Sequence, residues 1–103
     1  MNSPFRVQWS RSARKRLEEI EAYISLDRPE AARKLIRSLI TKTALKLSQY
    51  PQIGKAGRLT GTRELVYRDA PFLVVYTVRD DTITVLTVFH TSQQFPQSPP
   101  FDL

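Results

Sequence analysis

Apolar residues recur at different intervals along the chain, and each change of interval marks an element. Phe5-Arg-Val-Gln-Trp9 alternates apolar with polar, the period of a half-buried strand. Ser10 follows as a natural N-cap, because its hydroxyl can accept from an orphan amide of a first helical turn. Ala13, Leu17, Ile20 and Ile24 then recur at spacings of three and four, predicting a helix over about 11–26 with one apolar stripe. Arg14 and Lys15 each precede a glutamate by four positions, Glu18 and Glu19, which reads as a solvated face. Asp27-Arg-Pro-Glu30 punctuates: Asp27 can cap, Pro29 suits a first turn, and Glu30 favours the positive helix end. A second helix over about 29–49 carries Ala32, Leu35, Ile36, Leu39, Ile40 and Leu47 as its stripe. Tyr50-Pro51 ends it, since the residue before proline is pushed out of the helical region.

Residues 51–61 hold every glycine of the chain and read as a loop. It is not a phosphate-cradling loop, because no strand precedes it and no lysine-serine pair closes it. Three strands follow: Thr62 to Tyr67, Pro71 or Phe72 to Arg79, and Thr82 to Phe89, with turns at Asp69-Ala-Pro71 and Asp80-Asp81. The order predicts a two-layer α+β domain: an N-terminal strand, an antiparallel helical hairpin and a three-stranded antiparallel meander, the helices covering one sheet face. We expect one domain over residues 1–96 and a proline-rich tail over 97–103.

Charge changes this picture in one respect. Residues 1–50 hold 11 Lys and Arg against 5 acids, whereas residues 51–103 hold 5 against 5, so the whole excess of +6 belongs to the helical half. A basic surface of this kind attracts nucleic acid or an acidic protein partner, or simply keeps the helices soluble. Cysteine is absent, which removes disulfides and thiolate metal sites. No metal-ligand spacing appears, and no cofactor is expected. Without an apolar segment of membrane-spanning length, the expectation is a cytoplasmic protein with no membrane partner.

Three polar residues carry candidate chemistry. Arg58 and Arg63 offer planar guanidinium forks suited to phosphate or carboxylate, and His90, the only histidine, sits at a strand end with an imidazole able to move protons near neutrality. Together they can bind and cleave a phosphodiester. Taken singly, each has a structural reading: a loop cation for Arg58, a salt bridge with an acid such as Glu30 for Arg63, and a strand-end hydrogen bond for His90. Period two places Arg63, Leu65 and Tyr67 on one strand face and Thr62, Glu64 and Val66 on the other. The rival to catalysis is a binding surface, an exposed apolar area beside the basic helices that an acidic, disordered partner can cover.

Several phrases in this order resemble the RelE/ParE superfamily of type II toxin-antitoxin toxins. They are Val7-Gln-Trp9 with Ser10 and Ala13, Ile20 to Ile24, Pro29-Glu-Ala-Ala32, Leu47 to Pro51 and Gly57-Arg58. Gly61-Thr-Arg-Glu-Leu-Val66, Val74-Val-Tyr-Thr-Val78 and Val85-Leu-Thr-Val-Phe-His90 with Gln93-Gln-Phe-Pro96 complete the set. The resemblance implies a small bacterial toxin neutralised by a cognate antitoxin, whose acidic or amphipathic C-terminal segment wraps the toxin. Operator DNA is then reached only through the antitoxin. Relatives similar to RelE and YoeB cleave mRNA on the ribosome. His90 matches their strand-end histidine, but Thr91 stands where they have tyrosine and Leu73 where they have arginine. Pro29-Glu-Ala-Ala32, Gly61-Thr-Arg-Glu-Leu65 and the long hairpin look more like the ParE branch, whose members inhibit DNA gyrase by contact without an active site. On that reading Arg14, Arg16, Arg33, Arg37, Arg58, Phe95 and Pro96 are the expected contacts to target or antitoxin. The alternatives are a ribosome-dependent endoribonuclease using Arg58, Arg63 and His90, and an inactive toxin-derived binding module.

Overall fold

The computed structural model describes residues 5–68 and 71–90, with His90 described by its backbone alone. The elements run β1 (Arg6–Trp9), α1 (Arg11–Ser25), α2 (Pro29–Gln49), β2 (Lys55–Ala56), β3 (Arg63–Val66), β4 (Phe72–Arg79) and β5 (Thr82–His90). The strands form one sheet in the order β1-β5-β4-β3-β2, with β1 parallel to β5 and all other pairs antiparallel. This is the expected α+β architecture: an N-terminal strand, a helical hairpin and an antiparallel meander. One strand was not foreseen. Lys55 and Ala56, read from sequence as loop, pair with Glu64 and Arg63 and extend the meander at its outer edge.

Ser10 performs the capping that its position suggests. Its Oγ accepts from the Ala13 amide at 3.0 Å and donates to the Leu86 carbonyl at 3.0 Å, tying the start of α1 to β5. Beyond Trp9 the chain has left the sheet, and Arg16 takes over the edge of β5: its Nε donates to the Val88 carbonyl at 3.1 Å. The capping expected of Asp27 is not found. Arg28 is the N-cap residue of α2 and makes no side-chain cap bond, while Pro29 opens the helix as its missing amide allows.

The predicted stripes face the sheet. Ala13, Leu17 and Ile20 of α1 and Ala32, Ile36, Leu39 and Leu47 of α2 are buried. All of these except Ala32 cluster with Leu65, Tyr67, Phe72, Val74, Tyr76, Ile83, Val85 and Val88 from one face of the sheet. Thr43 is the polar member of the α2 stripe, and its hydroxyl shares a 2.6 Å hydrogen bond with the Tyr67 hydroxyl, which removes the penalty of burying both. Ile40, counted into the stripe from sequence, lies at its margin and is 37% exposed.

The other face carries its own apolar cluster of Leu73, Val75, Leu86 and Phe89, with Leu59 of the 57–62 loop packed against it. A register shift opposite Val75 and Tyr76 lets Leu86 stand as the extra residue of β5 and join this second cluster.

Candidate functional site

Arg63 pairs with Tyr76 across β3 and β4, on the helix-side face. Its Nη1 donates to the Gly54 carbonyl at 2.6 Å and to the Gln52 carbonyl at 3.3 Å. Tyr76, fully buried, completes a brace around the same loop. Its hydroxyl accepts from the Gly54 amide at 2.8 Å and donates to the Pro51 carbonyl at 2.9 Å. Burial pushes the Tyr76 phenol above its ordinary value, and the Gly54 amide and the Arg63 charge oppose that rise without cancelling it. Gly54 is required by close approach: a Cβ there would lie 2.7 Å from the Tyr76 hydroxyl and 2.9 Å from the Glu64 carbonyl oxygen. Among the described residues Arg63 makes no salt bridge to an acid such as Glu30, and backbone carbonyls take its place.

Arg58 belongs to the opposite face. Glu64, the residue after Arg63, points away from the helices and pairs with Val75 of the second cluster. Its carboxylate is buried, with Oε2 accepting from the Arg58 backbone amide at 2.8 Å and Oε1 lying 3.6 Å from the Arg58 Nε. Oε1 has no hydrogen bond, so the guanidinium charge is what compensates it. The Arg58 side chain remains 55% exposed. The loop approaches closely enough here that a Cβ on Gly57 would collide with the Thr62 hydroxyl.

Two of the sequence candidates are therefore held apart. Arg58 and Arg63 address opposite faces of the sheet, each beside a different part of the 51–62 loop. Leu73, the residue at the position of the expected arginine, is buried in the second apolar cluster. The His90 backbone pairs with Phe72, and its side chain lies outside the described residues, as do Phe95 and Pro96. Arg14, Arg33 and Arg37 are exposed on the helices, whereas Arg16 is half-buried, bonded to Val88 and 3.7 Å from Glu19. Among the described residues no group of three or more His, Cys, Asp or Glu can hold a metal ion. No helix of the described residues is long and apolar enough to cross a membrane.

Two residues that organise the loop were missed as such from sequence: Glu64 and Tyr76. Glu64 had a signal, since it is a lone acid on the strand face opposite Arg63. Tyr76 had none, because aromatic residues in strands are ordinarily core.

Comparison with known proteins agrees with this arrangement of elements. Residues 7–95 match the family model described as ParE toxin of type II toxin-antitoxin system, parDE. A curated protein of Sinorhizobium fredii (strain NBRC 101917 / NGR234), named "Putative toxin Y4kP", is 41% identical over 92 residues, covering 89% of this chain and 94% of that protein. Among solved structures, a chain of the chromosomal ParDE TA system from P. aeruginosa superposes with a TM-score of 0.76 at 23% identity, covering 86% of this chain and 98% of that one. A chain of the toxin-antitoxin complex RelBE2 from Mycobacterium tuberculosis gives 0.64 at 19% identity, covering 90% and 98%. At those identities the structures speak to the fold alone. The match of the family model to most of the chain, with a relative of this identity and coverage, decides the family: the chain belongs to the ParE toxins of type II toxin-antitoxin systems, within the RelE/ParE superfamily.

Proposed function

We propose that this toxin acts by protein contact, inhibiting DNA gyrase, and that a cognate antitoxin with a disordered acidic or amphipathic C-terminal segment neutralises it. The observation that carries this reading is the separation of Arg58 and Arg63 onto opposite faces of the sheet. A phosphodiester in its transition state gathers negative charge at one place, and catalysis by arginine needs the guanidinium groups to converge there. Here one guanidinium braces backbone carbonyls and the other compensates a buried carboxylate. An apolar cluster containing Leu73 fills the face between the Arg58 loop and β5. Residues committed to holding a loop in shape suit a toxin whose surface is its instrument. The exposed Arg14, Arg33 and Arg37 make the helical hairpin the basic surface we assign to the antitoxin.

Plasmid topology tests this in cells. Induction of the toxin alone is expected to relax plasmid DNA, and co-expression of the antitoxin to restore supercoiling. Plasmids that stay supercoiled while messenger RNA is cut would overturn the reading.

A further inference from the structure

The chain contains a long stretch without acidic residues. From Ala31 to Arg63 there are eight Lys and Arg and no Asp or Glu. The same stretch holds four of the exposed large apolar residues among the described part of the chain: Ile40, Leu45, Tyr50 and Ile53. Tyr50 and Ile53 are 62% and 48% exposed, and they flank a tight turn in which the Ile53 amide donates to the Tyr50 carbonyl at 3.0 Å. Pro51 occupies the position after Tyr50, where its fixed φ favours such a turn. Residues 49–53 line an open depression of about 580 Å³.

This turn is held unusually firmly for an exposed loop. The Arg63 and Tyr76 side chains reach the Pro51, Gln52 and Gly54 carbonyls and the Gly54 amide from beneath, so both apolar side chains stand on a fixed base. An aromatic side chain on a rigid base loses little entropy when a partner covers it, which is what makes tyrosine effective at the centre of an interface. Lys46, seated 5.0 Å from the Tyr67 ring centroid, and Lys55 of β2 are exposed positive groups close to it in sequence.

We propose that Tyr50 and Ile53, with the surrounding cations, form the docking point for the toxin's folded target, which offers an apolar anchor set in an acidic surface. Acidic character follows from the exposed Lys46 and Lys55, and the apolar anchor follows from the depression. A folded partner needs a surface already in its bound shape, and the brace supplies one. A disordered antitoxin has no such need, since it can mould itself to the broad basic helices. The inference rests on the gyrase reading and locates the contact that reading requires.

The test uses the full-length toxin with Tyr50→Ser and Ile53→Ser together. Both positions are exposed, so folding should survive, and an unchanged melting temperature verifies it. Inhibition of gyrase supercoiling is expected to need roughly tenfold more toxin, the scale of losing a central interface anchor. Affinity for the antitoxin encoded beside the toxin should change less than about twofold, the range of a residue outside the contact. A second variant, Lys46→Glu with Lys55→Glu, is expected to weaken inhibition in the same direction, and more so at low salt. If wild type inhibits gyrase and both variants match it, the docking inference is overturned alone. If the variants lose antitoxin while still inhibiting gyrase, the surface belongs to the antitoxin and the inference is also overturned. A wild-type toxin that leaves gyrase untouched overturns the functional reading and the inference with it.

Discussion

Arg63 and Arg58 lie in neighbouring parts of one short segment, yet they solve opposite problems. Arg63, on the helix side, brings a charge to backbone carbonyls and so fixes a loop that the sheet alone would leave loose. Arg58, on the far side, brings a charge to a carboxylate that is already buried and lets that carboxylate remain there. The first arginine shapes a surface; the second permits an otherwise costly residue. The contrast shows why residue type alone is a poor guide to catalysis. Two guanidinium groups close in sequence are useful together only if they reach the same side; here strand alternation turns Arg63 to the helix side and Glu64 to the other, where Glu64 holds Arg58 of the loop.

The largest effect should come from the helix side. Gly54→Ala places a methyl group under 3 Å from Tyr76 and the Glu64 backbone, and we expect a loss of about 3 kcal/mol in urea unfolding, the upper end for overpacking a tight contact. Tyr76→Phe leaves the Gly54 amide and Pro51 carbonyl without their partner, at a cost of about 2 kcal/mol by the same measurement.

Tyr76 also gives the comparison a pH signature. Its phenol loses a proton less readily in the folded chain than in the unfolded one. Below a pH of about 10, where both forms are protonated, this difference contributes nothing to the slope. As pH rises beyond that, the unfolded chain releases the proton first, so stability falls with increasing pH until the folded phenol also ionises. Denaturant midpoints of wild type should therefore decline more steeply above a pH of about 10 than those of Tyr76→Phe. Parallel alkaline limbs would show that Tyr76 is not held as described.

The far side should yield a smaller, coupled effect. Arg58→Ala leaves Glu64 with only the Arg58 backbone amide as a partner, and Glu64→Gln removes the charge that draws the guanidinium in. Because Arg58 is half-exposed and water screens part of its attraction, a double-mutant cycle is expected to give a coupling of about 1 kcal/mol. Additivity of the two substitutions would dissolve the contrast between the arginines. Smallest of all, Arg33→Glu or Arg37→Glu on exposed α2 should move stability by no more than about 0.5 kcal/mol, while weakening antitoxin binding in a salt-dependent way.

Much of the fold was legible because its determinants are local. Ser10 announces its helix by a hydroxyl three residues from the amide it accepts, and Pro29 opens α2 by lacking an amide that needs no partner. The apolar stripes read correctly because helical spacing is fixed by geometry. What escaped was set by contacts distant in sequence. Asp27 satisfied every local rule for a cap, but the chain turned into α2 one residue later. The two residues of β2 have no strand pattern of their own and pair only because Glu64 and Arg63 are presented to them. The partners of Arg63 were likewise invisible, since backbone carbonyls leave no trace in side-chain composition. Of the candidate site, the strand face of Arg63 was legible in the sequence, and only the three-dimensional structure shows Arg58 turned to the opposite face.

Action by protein contact and action by cleavage of messenger RNA leave different traces in vitro. One preparation of purified toxin divided between two reactions, DNA supercoiling by gyrase and messenger RNA on programmed ribosomes, separates them. We expect supercoiling to be blocked in proportion to toxin concentration and relieved by antitoxin, while the ribosome-bound message stays intact. Message cut at defined positions, with gyrase working normally, would contradict action by contact.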